Sequence, residues 1–411
     1  MRSGCGTYVM PARDRTAYDV VVVGGGPGGS TAAYQLQQFG HDVLLIDRET
    51  FPRDKLCGGL ITYKTLRLLD RVFDESESHL VDEGILNFGA DEYAAYFNDD
   101  LVLRDSIDVP FYFAKRFEYD EFLHDRAVEA GVDTHLGDGV SRIDIEGSTV
   151  ETTDGETFTA DYIVGADGAS SRIRSQLADE GLVDTSGWRK NLAIAAEAYV
   201  PRDAIDVDID YPMLHFGVLD WGYGWVFPNT DRLLVGVGGL NAKNDRGFRR
   251  ILDDYFDLLG FDYDPDTVKG HPIPFGNYLD RPAHGNVLLV GDAAGTVDAI
   301  TGEGIFYAQR SGELAAWAID RAESGTTAAV ADDYTDMLHE YVHPELHHSK
   351  QARLFIWGGP QFPRRLAMKA WFALLSDPSV ELVHGIRIYD LLRRRGDVMH
   401  ETLPGGTPRP T

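Results

Sequence analysis

The chain has 411 residues, of which 66 are acidic and 38 basic, so its formal net charge is −28 at pH 7. A surface this acidic repels the phosphates of nucleic acids. The composition therefore excludes the sequence-independent nucleic-acid binding that basic proteins show. A hydrophobic content of 43% supplies a large core, and a chain of this length is expected to form two or three lobes.

The composition also indicates the compartment. The acidity resembles that of cytosolic proteins from salt-accumulating halophiles, where multimolar salt screens self-repulsion, although an ordinary acidic enzyme is the alternative. Cys5 and Cys57 are the only cysteines, which excludes a disulfide framework and favours a reducing compartment. Residues 1–18 lack the apolar core of a signal peptide, and no apolar run approaches the roughly 18 residues that span a bilayer. A cytoplasmic location is therefore expected.

Residues 19–47 predict a strand, a tight glycine turn, a helix and a second strand. DVVVVG is a nearly continuous apolar run, typical of a parallel strand that is buried on both faces. Gly24, Gly26 and Gly29 then form the GxGxxG pattern between strand and helix, the context that predicts dinucleotide binding. Gly24 allows the turn, Gly26 lets the backbone approach a pyrophosphate, and Gly29 lets helix and strand pack closely. Asp47, at the end of the second strand, is placed to bind an adenosine ribose.

Later segments continue and then interrupt this first lobe. Helices are predicted over 60–72 and 118–131, and short strands with turn signals over 132–165. Alternating strands dominate 188–275 and predict an antiparallel sheet that forms a second lobe. NVLLVGDAAG, at 286–295, returns to an apolar strand followed by a glycine turn, so the first lobe resumes after the second.

These patterns predict an α/β fold in five segments. They are a leader (1–18), the first part of a two-piece Rossmann-like domain with a β-meander (19–187), an inserted antiparallel-sheet substrate domain (188–280), the second part of the Rossmann-like domain (281–325) and a helical C-terminal region (326–411). The distant GDAAG segment decides between dinucleotides, because simple NAD enzymes have no need for it whereas two-piece FAD domains do. FAD is therefore the expected cofactor.

The chain contains the motifs GGGPGG, GADGxxSxxR and GDAAG in that order. In this it resembles FAD-dependent oxidoreductases with the aromatic-hydroxylase-type, glutathione-reductase-like fold. Four segments are similar to the geranylgeranyl reductase family. They are LCGGL at 56–60, RFEYDxxL at 116–123, YGWVFP at 223–228 and GDAAGTVDAITGEGI at 291–305. The similarity spans at least residues 18–310. Asp47 stands where glutamate is commoner in that family, and the shorter carboxylate still suits a ribose contact.

The resemblance implies a cofactor site and an apolar substrate tunnel. The cofactor positions would be Gly24, Gly26, Gly28, Gly29, Asp47, Arg48, Cys57, Gly58, Gly59, Arg116, Val140, Asp167, Asp292, Gly302, Gly304 and Ile305. Among these, Arg116 would contact the flavin phosphates, and the Val140 backbone would contact the adenine. The tunnel for an isoprenoid chain would be lined by Tyr223, Trp225, Phe227 and Pro228, for which a role as a core strand of the second lobe is the alternative.

Such a site would saturate an isolated C=C bond, with hydride from reduced flavin and a proton from the protein. Cys57 would face the alkene as the proton donor or as a packing group. Gly58 and Gly59 would be needed because side chains there would clash with the flavin ring or the substrate. The alternatives are an FAD-dependent monooxygenase acting on an apolar or aromatic substrate, a quinone-type reductase, and a non-enzymatic flavoprotein sensor or lipid-binding module.

The resemblance leaves the prenyl acceptor and the electron donor open. An isoprenoid tunnel would suit four acceptors: archaeal-type digeranylgeranyl glycerophospholipids, geranylgeranyl diphosphate, a polyprenol and a quinone side chain. The halophile-like charge favours the phospholipids. NADPH, NADH or ferredoxin could reduce the flavin.

Two features of the C-terminal region stand apart from this site. The histidines of HEYVHPELHH (339–348) have helical spacing, but Pro344 interrupts it, so solvated or capping histidines are expected and no metal site is predicted. Residues 349–396 hold nine basic and three acidic side chains between apolar runs. This segment predicts peripheral contact with anionic lipid headgroups, and helices that cover the tunnel are the alternative.

Overall fold

The structure, a computed structural model, describes residues 15–322, 327–358, 366 and 378–386. Two eight-stranded sheets organise these residues. The strands in chain order are β1 (Ala17–Val23), β2 (Val43–Asp47), β3 (Leu60–Ile61), β4 (Phe88–Phe97), β5 (Asp100–Phe113), β6 (Asp133–Leu136), β7 (Val140–Asp144), β8 (Thr149–Thr152), β9 (Thr157–Gly165), β10 (Leu192–Pro201), β11 (Met213–Phe216), β12 (Gly222–Pro228), β13 (Arg232–Leu240), β14 (Lys269–Pro274), β15 (Ala283–His284) and β16 (Val287–Leu289).

Helices cover both sheets and dominate the end of the described chain. They are α1 (Pro27–Phe39), α2 (Tyr63–Phe73), α3 (Glu77–Asp82), α4 (Arg116–Ala130), α5 (Arg172–Asp179), α6 (Phe248–Leu259), α7 (Ile305–Asp320), α8 (Thr327–Tyr341) and α9 (His343–Trp357). The predicted α/β class, with a Rossmann-like unit and a helical C-terminal region, is confirmed. None of the described helices has both the length and the apolar character needed to cross a membrane.

The first sheet has the strand order β15-β16-β9-β1-β2-β6, and β8 and β7 extend from β9. The central strand β1 pairs in parallel with both β2 and β9. Val20 and Val22 on β1 belong to one core cluster, while Val21 and Val23 belong to the other. Burial on both faces explains why this strand is a continuous apolar run. The carboxyl ends of β1, β2 and β9 meet at one edge, where open α/β sheets bind ligands.

Helix α1 is held against the first sheet and α7 by backbone contacts that only glycine permits. A Cβ at Gly29 would lie 1.8 Å from the Gly24 carbonyl oxygen, and a Cβ at Gly312 on α7 would lie 2.2 Å from the Gly28 carbonyl oxygen. Both distances are far shorter than any non-bonded contact. The two glycines therefore fix where the N-terminus of α1 sits above β1.

The second sheet has the order β14-β10-β13-β12-β11-β4-β5-β3 and is antiparallel except for the β4–β11 pair. Three of its strands, β3 to β5, come from residues 60–113, which the sequence boundaries assigned to the first domain. The second sheet is therefore larger than the predicted insertion at 188–280. The exposed polar residues Arg104, Ser106 and Asp108 alternate with less exposed ones along β5, so the strand contains no continuous apolar run that would have predicted it.

The C-terminal helices break where the sequence predicted. Helix α8 ends at Tyr341 and α9 begins at His343, with Pro344 in its first turn, where the missing N–H is tolerated. Of the nine basic residues of 349–396, the structure describes Lys350 and Arg353; the others lie outside the described residues. The Arg353 guanidinium is buried and donates to the Phe275 carbonyl oxygen at 2.7 Å. Membrane contact by this segment stays a prediction.

Candidate functional site

A cavity of about 1390 Å³ lies between the two sheets. Typical small-ligand pockets occupy roughly 300–1,000 Å³, so this one has room for a cofactor and a second ligand. Of the residues that the sequence assigned to the site, all but Gly29 and Pro228 line the cavity. Gly29 is instead engaged in the contact between α1 and the glycine turn.

One end of the cavity is formed by the turn between β1 and α1. Gly24 has a φ of +106°, and a Cβ there would lie 2.4 Å from the Ala166 carbonyl oxygen, so glycine is required. Gly26 precedes α1 without a side-chain cap, Pro27 follows it, and the first turn has no acidic residue. The first N–H groups of α1 are thus left for a ligand, and the positive end of the helix dipole favours an anion. This geometry fits the diphosphate of a dinucleotide.

Two charged residues shape this end further. One oxygen of Asp47 accepts the Gly25 N–H at 2.6 Å and the other accepts the Glu49 N–H at 2.9 Å, so the carboxylate orders the glycine turn. Arg116 forms a bidentate pair with Asp120, at 2.8 and 2.9 Å. Burial alone would lower the pKa of Arg116, but Asp120 and then Cys57 outweigh it and raise this pKa. The guanidinium is therefore a permanent cation beside the cavity.

Further predicted positions also line the cavity. Asp167 accepts the N–H groups of Arg172 and Ile173 at 2.7 and 3.3 Å and so caps α5. Its other oxygen is buried and has no partner among the described residues, which fits a donor on a bound ligand. Burial raises the pKa of Asp167 and of Asp292, whose carboxyl lies 3.4 Å from the Cβ position of Gly304. Arg48, Val140, Gly302 and Ile305 line the cavity as well.

The LCGGL loop crosses the cavity between its two ends. The half-buried Cys57 accepts the Gly59 N–H at its sulfur, at 3.5 Å. A Cβ at Gly58 would lie 2.7 Å from the Phe227 ring, and a Cβ at Gly59, where φ is +70°, would lie 2.1 Å from the Ala114 carbonyl oxygen. Contacts within the protein therefore already require both glycines, whereas the sequence reasoning attributed them to the flavin ring or the substrate.

Strand β12 supplies the apolar end of the cavity. Tyr223, Trp225 and Phe227 alternate along the strand and share one face, with ring centroids 5.7 and 6.2 Å apart. The Tyr223 hydroxyl donates to the Thr301 carbonyl oxygen, which fixes the ring at the junction with the GDAAG segment. Pro228 follows Phe227 and so points to the opposite face, which explains why it does not line the cavity. In the sequence, the spacing of two residues between Tyr223, Trp225 and Phe227 already indicates that these side chains share one face of a strand, and that Pro228 does not.

Three ionisable side chains at the centre of the cavity were not identified from the sequence. They are Lys55, Glu197 on β10 and His271 on β14, and all three line the cavity. Burial raises the pKa of Glu197 to about 8, against the opposing effect of Lys55 and Arg116. Burial lowers the pKa of Lys55 to about 8, and burial with neighbouring cations lowers that of His271 to about 3. At neutral pH the site thus contains a carboxylic acid that keeps its proton.

The local packing explains how Glu197 reaches the cavity. Gly236 faces it across the β10–β13 pair, and a Cβ at Gly236 would lie 2.7 Å from Glu197 and 2.6 Å from the Trp225 ring. The Lys55 amino group is hydrogen-bonded to the His271 ring. The signal in the sequence was Glu197 itself, a single charge in the apolar strand LAIAAEAYV, because a lone acid in a buried strand is a candidate functional group.

Comparisons with known proteins agree with this geometry. The FAD binding domain family matches residues 17–204. Menaquinone reductase of Mycolicibacterium smegmatis is 32% identical over 324 residues, which cover 73% of this chain and 76% of that protein. Geranylgeranyl diphosphate reductase of Rhodobacter capsulatus is 31% identical over 307 residues, which cover 73% and 74%. The structure of a geranylgeranyl bacteriochlorophyll reductase-like protein from Thermoplasma acidophilum has a TM-score of 0.71 at 21% identity, covering 95% of this chain and 98% of that one, and so shares the fold.

Proposed function

The chain belongs to the family of FAD-dependent oxidoreductases that includes the geranylgeranyl reductases, and on that premise we propose that it saturates C=C bonds of isoprenoid chains. FAD is its cofactor, which the α1 N-terminus, Asp47, Arg116 and the turn at Asp292 would hold. Reduced FAD, when bound, supplies a hydride. The remaining requirements are an apolar binding surface for the alkene and a proton for its second carbon.

The observation that carries the proposal is the continuity of the cavity. The glycine-lined cofactor end runs directly into the aromatic surface of Tyr223, Trp225 and Phe227. A polyprenyl chain suits such a surface, since each buried CH₂ contributes about 0.8 kcal/mol to binding. The apolar and cofactor ends meet at Cys57 and Glu197, so an alkene held by the aromatic residues would have its reacting carbons beside both groups.

Glu197 is the proton donor that the geometry favours. Its carboxyl lies beside the Cys57 backbone and faces Lys55 and Arg116. In the proposed step its O–H bond breaks, a C–H bond forms at the alkene carbon that did not take the hydride, and a carboxylate remains. The two cations stabilise that carboxylate until it regains a proton from solvent. Cys57 stays a second candidate donor.

Among the possible acceptors, a geranylgeranyl chain on an archaeal-type ether phospholipid precursor is our proposal. The strongly acidic composition supports it, because such acidity is typical of salt-accumulating cells. Geranylgeranyl diphosphate, a polyprenol and a quinone side chain would offer the same alkene to the cavity. NADPH, NADH or ferredoxin would reduce the flavin.

The test is anaerobic incubation of the dithionite-reduced protein with each prenyl lipid, followed by mass spectrometry. We expect products that gain two hydrogens per reduced double bond, with the phospholipid consumed fastest. A product that carries an added oxygen atom and forms only in air with a nicotinamide donor would instead identify a monooxygenase. Unchanged prenyl lipids together with a reduced quinone ring would identify a quinone-type reductase.

A further inference from the structure

Three potential metal ligands meet at the C-terminal helices, outside the cofactor cavity. Asp280 lies between β14 and β15, His339 lies in the last turn of α8, and His343 begins α9. One ligand atom from each lies within 4.8 Å of the other two. We propose that these side chains bind one Zn²⁺ ion or a similar first-row divalent cation.

His343 provides the first independent support. The residue is only 6% exposed, and neither ring nitrogen has a hydrogen-bond partner among the residues that the structure describes. This differs from the solvated histidine expected from the sequence. An unpaired buried polar group is destabilising and calls for an explanation, such as a bound ion. Coordination of a cation by one nitrogen would satisfy it.

The spacing of the other two ligands is already close to that of a zinc site. The His339 Nε2 atom lies 3.2 Å from the Asp280 carboxylate and 3.0 Å from the Asp280 carbonyl oxygen. Tetrahedral Zn²⁺, with bonds of about 2.0–2.2 Å, holds neighbouring ligand atoms roughly 3.3 Å apart. His339 and Asp280 can therefore coordinate without moving their backbones, and the His343 ring has only to turn toward them. Its centroid lies 5.0 Å from that of His339.

The donor set determines which cations fit. Two imidazole nitrogens and one carboxylate suit Zn²⁺, Co²⁺ and Ni²⁺, whereas Ca²⁺ and Mg²⁺ prefer oxygen ligands throughout. The side chains of His339 and Asp280 are 42% and 85% exposed, so an ion can enter and keep a water molecule in its open position. The nearby Arg281 is paired with Asp332, which limits its repulsion of the ion.

His347, one turn beyond His343, is excluded from the set. Its Nδ1 atom lies 3.1 Å from the Tyr278 hydroxyl, and its Nε2 atom lies 2.8 Å from the Gln351 amide. Both ring nitrogens are therefore occupied. This makes His347 a matched control on the same helix.

A bound ion would connect the C-terminal helices to the cofactor layer. Leu279, next to Asp280, is buried and donates its N–H to the Ala294 carbonyl oxygen at 2.9 Å. Ala294 belongs to the turn that carries Asp292 at the cavity. The ion would join this turn to the junction of α8 and α9, so we expect metal binding to raise the melting temperature of the whole protein.

The test uses the FAD-loaded full chain, with any affinity tag removed and metals stripped by a chelator. Isothermal titration with Zn²⁺ should show one equivalent bound, and Co²⁺ should give visible ligand-field absorption. Asp280→Ala and His339→Ala should each weaken Zn²⁺ binding by about 10–100-fold or more. Both side chains are exposed, so these variants should fold, and flavin absorbance will verify this.

Two control variants separate this site from others. His347→Ala should bind Zn²⁺ like the wild type, and so should Cys57→Ser, which removes the described thiol. Failure of the wild type to take up one equivalent of Zn²⁺ would overturn the proposal. Equal affinity of the wild type, Asp280→Ala and His339→Ala would do so as well, since the ion would then lie elsewhere.

Discussion

Glu197 is the residue whose ionisation controls the proposed proton transfer. A donor must carry its proton, and the pKa of Glu197 is about 8. Turnover of the wild type should therefore be constant at lower pH and fall as the pH rises through about 8. Glu197→Gln keeps the size of the side chain but cannot release a proton to the alkene, so turnover should drop by about 10²–10⁴-fold in the plateau below pH 8.

The rate of proton transfer can be measured in single turnovers. The reduced protein is mixed anaerobically with a prenyl substrate, and oxidation of the protein is followed across this pH range. FAD content and substrate affinity serve as controls, because a merely structural role of Glu197 would change them too. Full turnover of Glu197→Gln would remove this residue from the mechanism.

Cys57 offers a second, separable prediction at the same scale. Its sulfur accepts a weak hydrogen bond from Gly59 and lines the cavity between cofactor and aromatic residues. Cys57→Ser should change the number of double bonds reduced or the KM, because a hydroxyl is smaller and more polar than a thiol at an apolar contact. Its turnover should still fall near pH 8. If Cys57→Ser lost turnover by about 10²-fold or more while Glu197→Gln kept full turnover, Cys57 would be the donor.

At the scale of elements, two glycines around α1 have different roles. A Cβ at Gly312 would lie 2.2 Å from a backbone oxygen of α1, whereas a Cβ at Gly26 would meet only the Arg53 side chain, at 3.5 Å. Gly312→Ala should destabilise the fold by about 1–3 kcal/mol or more through overpacking, despite the better helix propensity of alanine. Gly26→Ala should leave the fold stable but weaken FAD binding, because the methyl group would occupy space beside the diphosphate.

Thermal unfolding of the apoproteins and FAD titration distinguish these effects. The expectation for α1 is contradicted if Gly312→Ala melts like the wild type. The predicted diphosphate position is contradicted if Gly26→Ala binds FAD with unchanged affinity.

The same elements show what a sequence can and cannot reveal. GxGxxG predicted the α1 turn because its chemistry lies within six residues. The three aromatic residues of β12 that the family resemblance assigned to the tunnel line the cavity, whereas Pro228 does not. Lys55, Glu197 and His271 come from three distant segments, and only the folded sheets bring them together. The role of Gly58 was likewise hidden, since its steric partner is Phe227, far along the chain. Tertiary contacts, rather than local patterns, determine such features.

At the scale of the whole molecule, the net charge of −28 should make stability depend on salt. Self-repulsion among the carboxylates opposes the compact state, and raising the ionic strength from about 0.1 M to 1 M shortens the Debye length from about 10 Å to about 3 Å. Salt also weakens favourable surface ion pairs, but exposed pairs contribute only about 0–1 kcal/mol each, so the loss of repulsion should dominate. The melting temperature should therefore rise with KCl, and a gain of about 2 kcal/mol would correspond to roughly 2–3 °C for a chain of this length. KCl is preferable to sulfate, which also strengthens apolar burial.

The same titration close to the isoelectric point, about pH 4.7, should show a much smaller rise because the net repulsion is absent there. A melting temperature that stays flat or falls with KCl at pH 7 would mean that the acidic surface is not an adaptation to salt, and it would remove the support that this charge lends to an ether-phospholipid substrate.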